Sequence, residues 1–185
     1  MFVHLNTHSV YSEMSGLIPV KKLIQLSKVN GMGSLALTDV NCLSGFINFV
    51  KYCNSMEVKP IAGANLIAKD EDIIVLVENQ IGYENLCRII SKLHDNANQK
   101  VSDMIISYPS GLFILAENYL VLKQLKPVIS NTHLFIELRP GGSEFDAKKL
   151  SKKLQLEIIA TGNVYFHNMS DYESYIMLQA IKKNS

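Results

Sequence analysis

The stretch FVHLNTHSVYSEMSG, residues 2–16, places its first side chains alternately on two faces. Val3, Leu5 and Thr7 fall on one face. The polar residues His4, Asn6 and His8 fall on the other. A period of two residues predicts a β-strand. Because imidazole is a common metal ligand, the polar face of this strand also raises the question of a metal site.

Helical and strand patterns alternate along the rest of the chain. Residues 18–30 carry apolar side chains at helical spacing, with Pro19 suited to the first turn and Gly31 to the end of a helix. The same patterns predict further strands at 34–39, 59–67, 72–78, 111–116, 133–139 and 156–162. They predict further helices at 44–55, 82–95, 117–125, 143–153 and 170–183.

About six strand–helix units follow one another without a linker, which favours one α/β domain over residues 1–185. We expect a mainly parallel sheet covered by helices, either closed into a barrel or open. Residues 72–78 are expected to pair with the preceding strand as a hairpin. Residues 96–110 and the pair Gly141–Gly142 are expected to be loops. In such folds, functional groups collect at the carboxyl ends of the strands.

The composition excludes several classes of protein. Of the 185 residues, 48% are hydrophobic and 19% are charged, which is typical of a globular domain. The longest apolar runs, such as residues 73–77, are too short to cross a bilayer, so we expect a cytoplasmic protein with no membrane partner. A net charge of +1 predicts weak or no independent DNA binding. The four lysines at 148, 149, 152 and 153 are expected to form a solvated helix face.

Cysteine usage and the common catalytic motifs point to no chemistry of their own. Cys42, Cys53 and Cys87 lack the C-x-x-C spacing of zinc or redox sites, so we expect reduced, buried thiols. The chain contains neither a G-x-x-x-x-G-K-[ST] phosphate loop nor a G-x-S-x-G nucleophile elbow.

Six segments, in this order and at this spacing, carry a resemblance that covers nearly the whole chain. They are FVHLNTHSVYSEMSG, GMGSLALTDVNCLSGFINFVKYC, VKPIAGANL, GYENLCRIISKLH, FIELRPG and IIATGNVYF. The chain resembles the PHP (polymerase and histidinol phosphatase) domain at the N-terminus of the alpha subunit of bacterial DNA polymerase III, a replicative C-family polymerase. This resemblance implies a distorted (β/α)7 barrel.

Active PHP proteins hold a trinuclear metal cluster with histidine and carboxylate ligands, and the resemblance places these ligand positions on the present chain. The opening His-x-His pair falls on Asn6 and His8, so the first histidine is replaced. A carboxylate expected before the glycine falls on Ser15. The histidine after Thr-Asp falls on Val40, although Asp39 itself matches.

The second half of the ligand set is also altered. The glutamate after the KPI-x-G turn falls on Asn65. His94 matches the histidine at the end of the GYENL helix. The closing Asp-x-His falls on Asn163 and Tyr165. The resemblance therefore implies a degenerate metal site.

The replacements change the chemistry, because amide oxygens do not supply the charge that offsets the dehydration of a dication. His8 and His94 are the best remaining candidates, and together they would hold one labile ion at most. We expect no cofactor, or Zn or Mn if any. Asn6, Asn65, Asn163 and Tyr165 could instead hydrogen-bond to each other and to a histidine, which would form a neutral polar plug. We expect Asp39 to cap backbone N–H groups and His4 to be a structural histidine. His133 and His167 match no ligand position of the family, although His167, two residues beyond Tyr165, is a conceivable substitute ligand.

The leading hypothesis is a non-catalytic PHP domain, the N-terminal fragment of a longer DNA-directed DNA polymerase (a nucleotidyltransferase). Its partners would be the remainder of the alpha subunit and a proofreading exonuclease. The alternative is a metal-dependent phosphoesterase or 3′–5′ exonuclease of the PHP type. A third reading is a free-standing domain that binds an unrelated protein.

Overall fold

A computed structural model describes residues 2–96 and 98–184, in which six strands form one sheet with the order β1 to β6. The strands are β1 Ser34–Leu37, β2 Lys59–Ala68, β3 Glu71–Val77, β4 Leu112–Ala116, β5 Leu134–Leu138 and β6 Ile158–Ala160. The helices are α1 Val20–Val29, α2 Phe46–Ser55, α3 Gln80–Asp95, α4 Val101–Ser107, α5 Tyr119–Leu125, α6 Glu144–Leu154 and α7 Tyr172–Asn184. A 3-10 turn, Met169–Asp171, precedes α7.

The sheet is mixed rather than mainly parallel. β1 pairs with β2 in parallel, and β4, β5 and β6 are also parallel to one another. β3 runs antiparallel to both of its neighbours. The predicted hairpin is the cause: Lys69 and Asp70 both have positive φ, as a two-residue hairpin loop requires, and this loop reverses β3. The sequence patterns predicted the hairpin but not the antiparallel pairing of β3 with β4.

The predicted N-terminal strand is not a regular strand. It is an extended segment whose backbone hydrogen-bonds on two sides. Ala36 N–H donates to His4 O at 3.0 Å on the β1 side. On the other side, beyond β6, His8 N–H donates to Val164 O at 2.8 Å and Val164 N–H donates to Asn6 O at 3.0 Å. The segment therefore lies between the two edges of the curled sheet, which gives the distorted α/β barrel that the sequence predicted.

The apolar core consists of one inner cluster and two outer clusters, of which the smaller packs helices α1 and α2 on β1. Four side chains form the inner cluster, namely Ala36, Ile74, Leu76 and Leu115. A larger cluster lies between the sheet and helices α3 to α6, and includes Leu86, Ile89, Ile105, Leu122 and Ile136. Burying a side chain of this kind contributes about 1.5–3 kcal/mol, so the helices are held mainly by packing on the sheet.

The loop predicted at residues 96–110 contains helix α4, so that prediction was wrong for this part. Val101, Met104 and Ile105 of α4 are buried in the outer cluster. The backbone N–H and the hydroxyl of Ser102 donate to the Glu71 carboxylate, each at 2.8 Å. Helices as short as two turns depend on tertiary contacts rather than on propensity, so sequence periodicity misses them.

The three cysteines differ in their burial. Cys53 is fully buried, whereas Cys42 and Cys87 are half-buried, and all three are free cysteines. Burial raises the pKa of the Cys53 thiol to about 11, so it stays protonated at neutral pH.

Among the residues that the structure describes, no helix combines the length and the apolar character needed to cross a membrane.

Candidate functional site

A group of buried polar side chains lies where the N-terminal segment meets the ends of several strands. We call it the polar cluster, and it consists of the buried residues Asn6, His8, Asp39, Asn65 and Glu137 together with the half-buried Asn163 and Tyr165. Asn6, His8 and Asn65 have no exposed surface, and Asp39 and Glu137 are almost as deeply buried. The fold therefore brings together residues that are far apart in sequence, as expected for strand ends in an α/β barrel.

His8 occupies the centre of the polar cluster. Its ring stacks on the Tyr165 ring, with centroids 4.0 Å apart and planes inclined by 7°. Burial lowers the pKa of His8 to about 3, so the imidazole is neutral at physiological pH. Burial also raises the pKa of Tyr165 to about 12, which keeps its phenol protonated. The two stacked rings therefore present a neutral surface.

Asp39 is fixed by the turn that follows His8. One carboxylate oxygen accepts from the backbone N–H of Ser9 at 2.6 Å and from the Ser12 hydroxyl at 2.7 Å. The other accepts from the Ser9 hydroxyl at 2.8 Å. Burial raises the pKa of Asp39, while these hydrogen bonds act in the opposite direction. Asp39 thus caps a backbone N–H group, although the group belongs to the turn after the N-terminal segment and not to a helix after β1.

The turn also determines the surroundings of Ser15. Gly16 packs so closely on the chain that a Cβ atom there would lie 1.8 Å from Ser9 O. Only glycine fits this approach, which holds residues 9–16 against the end of the N-terminal segment. The Ser15 hydroxyl accepts a hydrogen bond from Lys182 of helix α7 at 3.1 Å. An ammonium group thus lies beside the position where the resemblance implies a carboxylate ligand.

Glu137, which our sequence analysis missed, is the most completely bound carboxylate in the polar cluster. Its Oε1 accepts from Asn6 Nδ2 at 2.9 Å and from the Thr161 hydroxyl at 2.6 Å. Its Oε2 accepts from Arg139 Nε at 2.8 Å. Arg139 also forms a bidentate pair with Asp72, at 2.6 and 2.9 Å. A signal was present in the sequence, since Glu137 is the only charged residue in the apolar strand LFIEL.

Several polar atoms of the cluster have no hydrogen-bond partner. They are Nε2 of His8, Oδ1 of Asn6, Oδ1 of Asn163, and both side-chain polar atoms of Asn65. The polar plug that the sequence suggested, in which these groups bond to one another, is therefore incomplete among the described residues, where only Asn163 is within hydrogen-bond reach of His8. One reason is that the Asn6 amide donates to Glu137. Each unpartnered buried atom costs about 1–3 kcal/mol unless water or a ligand binds it.

His94 and Val40 lie away from the buried groups, in an open cleft of about 560 Å³ that Lys182 also lines. His94 is exposed, and its Nε2 lies 2.8 Å from the backbone oxygen of Asn41. Val40 pairs with Asn65 through an isolated parallel β-bridge, which links the cleft to the polar cluster. Thus the two best candidates for metal ligands differ: His8 is buried and His94 is at the surface.

The other three histidines lie in separate surroundings. His4 lines a different cavity, and burial lowers its pKa. His133 stacks on Phe113, with ring centroids 4.6 Å apart. His167 lies 3.2 Å from Asp171 at the start of α7. His133 and His167 each have a neighbouring side chain, whereas the buried Nδ1 of His4 has no hydrogen-bond partner.

The side chains at the ligand positions differ from those of the metal cluster that the resemblance implies. No group of three or more His, Cys, Asp or Glu side chains that could hold a metal ion occurs among residues 2–96 and 98–184. The substituted positions offer mainly amide and hydroxyl oxygens, which supply no charge to a dication. The carboxylates of Glu137 and Asp72 are already bound by Arg139. The residues present therefore do not fit a multinuclear Zn or Mn site.

Comparison with known families establishes the class of this protein. The sequence profile of the PHP domain family matches residues 4–170. The chain therefore belongs to the PHP domain family, in agreement with the resemblance seen in its motifs.

The curated relatives that the chain matches include DNA polymerase III alpha subunits. It is 27% identical to the protein from Haemophilus influenzae and 28% identical to that from Escherichia coli O6:H1, with 97% of this chain covered in both. The Bacillus subtilis protein is 26% identical over 98% of the chain. The chain spans only 18% of the length of the first two relatives and 19% of the third. It is thus homologous to one part of a much longer polymerase subunit.

Solved structures with the same fold have very different sequences. A protein from Bifidobacterium adolescentis, assigned as a metal-dependent phosphoesterase, gives a TM-score of 0.63 at 9% identity, with 95% of each chain covered. An amidohydrolase from Chromobacterium violaceum, solved with sulfate and without metal, gives 0.62 at 10% identity, with 88% of this chain and 87% of that chain covered. These likenesses establish the barrel fold.

Proposed function

We propose that this chain is the N-terminal PHP domain of a replicative DNA polymerase III alpha subunit and acts as a non-catalytic platform. It would brace the polymerase, which is the DNA-directed DNA polymerase (nucleotidyltransferase) of the cytoplasm, and bind a proofreading exonuclease. The domain would span residues 1–185 of the longer subunit. The proposal joins the homology to alpha subunits with the altered chemistry of the polar cluster.

One observation carries the non-catalytic part of this proposal: most ligand positions are filled by neutral or apolar side chains, and only His8, Asp39 and His94 match the family. Ser15, Asn65 and Asn163 stand where the family has carboxylates, which removes about three negative charges from the site. Metal-assisted phosphoester hydrolysis needs cations to activate water and to neutralise the developing charge. Without those charges, the site should bind two or three such cations much more weakly than an intact cluster does.

Helix α7 supports the platform role, because it exposes an apolar surface. Exposed hydrophobic side chains on α7 and the turn before it are Met169, Tyr172, Ile176, Met177 and Ile181. Contiguous apolar surface of this kind marks protein interfaces. We infer that the remainder of the alpha subunit covers this face, because the relatives continue for several times the length of this chain.

Direct DNA binding is not part of the proposal. On helix α6, Lys148 pairs with Glu144 at 2.6 Å, and Lys153 lies 4.0 Å from the centre of the Tyr119 ring. Two of the four lysines thus contact neighbouring side chains of this chain. This supports a solvated helix face and weak or no independent binding to DNA.

Metal content is the test of the non-catalytic role. The chain would be purified without chelator, equilibrated with excess Zn or Mn, desalted and measured by elemental mass spectrometry. We expect less than about 0.1 ion per chain, since a tight site would retain its metal. The positive control restores the ligand set of the family with Asn6→His, Ser15→Asp, Val40→His, Asn65→Glu, Asn163→Asp and Tyr165→His, and removes the ammonium beside Ser15 with Lys182→Met. Its retention of metal would show that the assay detects a site in this fold. Two or more ions on the unaltered chain would overturn the proposal.

The competing function is a metal-dependent phosphoesterase or 3′–5′ exonuclease. The fold shared with phosphoesterases and the unpartnered atoms of His8 and Asn65 favour it. Release of nucleotides from a 3′-labelled oligonucleotide in the presence of Mn would support this function, provided that His8→Ala abolishes the release. The platform proposal expects no release above a buffer control.

The membership in a longer subunit has a direct test. The reading frame downstream of Ser185 would be sequenced in the source genome. Continuation into polymerase sequence supports the platform proposal, whereas a stop codon would favour a free-standing domain that binds an unrelated protein.

A further inference from the structure

Two cationic side chains from different elements lie at the polar cluster or beside it. Arg139 follows β5, and Lys182 lies in the last turn of α7. Lys182 contacts Ser15, which is one of the family's ligand positions. Arg139 contacts Glu137, which binds Asn6 at another ligand position. Both cations lie close enough to His8 to oppose its protonation. The chain therefore supplies positive charge at the edge of the polar cluster and beside it.

Arg139 lies between two carboxylates, much as a bound cation would. Its guanidinium forms the bidentate pair with Asp72 and contacts Glu137 Oε2 at 2.8 Å. The Glu137 side chain has no exposed surface, the Arg139 side chain is 13% exposed, and the Asp72 side chain is 40% exposed. Burial would lower the pKa of Arg139, but the hydrogen bond to Asp72 and the charge of Glu137 outweigh burial and raise it. The guanidinium therefore stays charged.

The contact of Glu137 with Asn6 connects this cation to the family's ligand positions. Asn6 stands where the first histidine of the His-x-His pair would be, and its amide donates to Glu137 at 2.9 Å. A neutral imidazole could bind a metal here, but an amide donor instead supports the carboxylate that Arg139 holds. The substitution at Asn6 and the ion pair thus belong to one network.

Lys182 contacts a second position at which the family has a metal ligand. Its ammonium donates to Ser15 Oγ at 3.1 Å, and Ser15 stands where the family has a carboxylate. The neighbouring Gln179 side chain donates to Met14 O at 3.2 Å, which anchors α7 on the same turn. Helix α7 therefore brings a positive charge to the place of a lost metal ligand.

We propose that Arg139 and Lys182 are built-in cations that take over the electrostatic and structural role of metal ions in this barrel. The inference rests on the proposed non-catalytic function, and it adds the reason why the domain folds without metal. The guanidinium offsets one of the two negative charges of Glu137 and Asp72 and links β3 to β5, and the ammonium holds α7 against the turn at Ser15. A divalent cation would be repelled by both groups.

The first test replaces Arg139 and asks whether a metal ion can substitute for it. In Arg139→Met, the Glu137 and Asp72 carboxylates lose their cation, so the urea midpoint of unfolding should fall. Millimolar MnCl2 should restore at least about half of that fall, because manganese binds the native carboxylates and not the unfolded chain. The unaltered chain should show no response to MnCl2 beyond that to NaCl of equal ionic strength.

A matched control removes the carboxylates together with the arginine. The triple variant Arg139→Met, Glu137→Gln, Asp72→Asn should be more stable than Arg139→Met and should not respond to MnCl2. If Arg139→Met does not fold in buffer, its refolding from urea is measured with and without MnCl2. Folding only with MnCl2 supports the inference, and failure in both conditions overturns it.

Lys182 is tested by a second pair of variants. Ser15→Asp restores one carboxylate of the family, which Lys182 should neutralise, so this variant should still retain no metal. Ser15→Asp with Lys182→Met should bind Mn, measured as ions per chain by elemental mass spectrometry. Equal metal content in the two variants would overturn the role of Lys182.

The outcomes separate this inference from the proposed function. Two or more metal ions bound per unaltered chain would overturn both. If the unaltered chain binds no metal and Arg139→Met shows no manganese response, only the built-in cation is overturned, while the non-catalytic platform stands.

Discussion

On one side of the polar cluster, the Glu137 carboxylate is bound by Asn6, Thr161 and Arg139. On the other side, the Asn65 amide is equally buried and has no hydrogen-bond partner. The Asp39 carboxylate is bound in the same way as that of Glu137, because it accepts three hydrogen bonds. His8 belongs with Asn65, because its Nε2 has no partner.

The difference follows from the cost of burying charge. A buried carboxylate is tolerated only where hydrogen bonds or a cation compensate for lost hydration, and both carboxylates here have such partners. Neutral asparagine and histidine can remain unpartnered at a lower cost of about 1–3 kcal/mol. Substitutions at the bound carboxylates should therefore destabilise strongly, and substitutions at the unpartnered groups should not.

The largest effect is expected for Glu137→Ala. This change leaves Arg139, Asn6 and Thr161 without their shared acceptor, and breaking a buried pair of this kind costs about 3–5 kcal/mol. Urea denaturation followed by circular dichroism measures the loss. Glu137→Gln is the control, because the amide retains an acceptor oxygen and should lose less. A cost below about 1 kcal/mol for Glu137→Ala would show that the ion pair is solvated.

A smaller loss is expected for Asp39→Ala, about 2–3 kcal/mol, because the Ser9 backbone N–H and the hydroxyls of Ser9 and Ser12 lose a charged acceptor. Ser12→Ala removes only one of these bonds and should cost about 1 kcal/mol. The same urea titration measures both variants. Equal losses for the two would contradict the central role of Asp39.

His8 should make the stability of the protein depend on pH. The unfolded imidazole takes up a proton near pH 6.5, whereas in the folded chain the pKa is about 3. Between these values the unfolded state binds more protons, so stability falls as the pH falls. From pH 7 to 5.5 the loss is about 1 kcal/mol. His8→Phe keeps an aromatic ring beside Tyr165 and should lack this component.

Comparing the unaltered chain with His8→Phe isolates the contribution of His8 to the pH dependence of stability. The raised pKa of Asp39 acts in the opposite direction, since the folded chain then binds its proton more readily as the pH falls. Both proteins contain Asp39, so only the difference in their pH profiles is assigned to His8. Parallel profiles would mean that the imidazole is hydrated in the folded state.

The smallest effect is expected for Asn65→Leu. The amide has no partner to lose, and leucine has a similar shape, so the free energy of unfolding should stay within about 1 kcal/mol of the original or rise. Thermal unfolding by calorimetry measures the change. Asn65→Asp is the contrasting variant, since an unpaired buried charge should destabilise. A loss above about 2 kcal/mol for leucine would reveal a partner, such as bound water, for the amide.

Much of the local structure was predictable because its signal is local. Periodicity placed helix α3 within two residues of its bounds, and the hairpin at Lys69 and Asp70 followed from turn-forming residues between two apolar runs. Helix α4 was missed because seven residues hold too little periodicity. The N-terminal segment was predicted as a strand, but its backbone is shared between two edges of the sheet and does not form a regular ladder.

The amino-acid sequence by itself determined the family, the alternation of strands and helices, and the loss of charged ligands at Ser15, Asn65 and Asn163. Residue identity alone decides these properties. Only the tertiary structure decided which charges meet, because Asn6 and Glu137 are 131 residues apart and Arg139 and Asp72 are 67 apart. Contacts over such separations depend on how the sheet curls, which places the Arg139 guanidinium between Asp72 and Glu137.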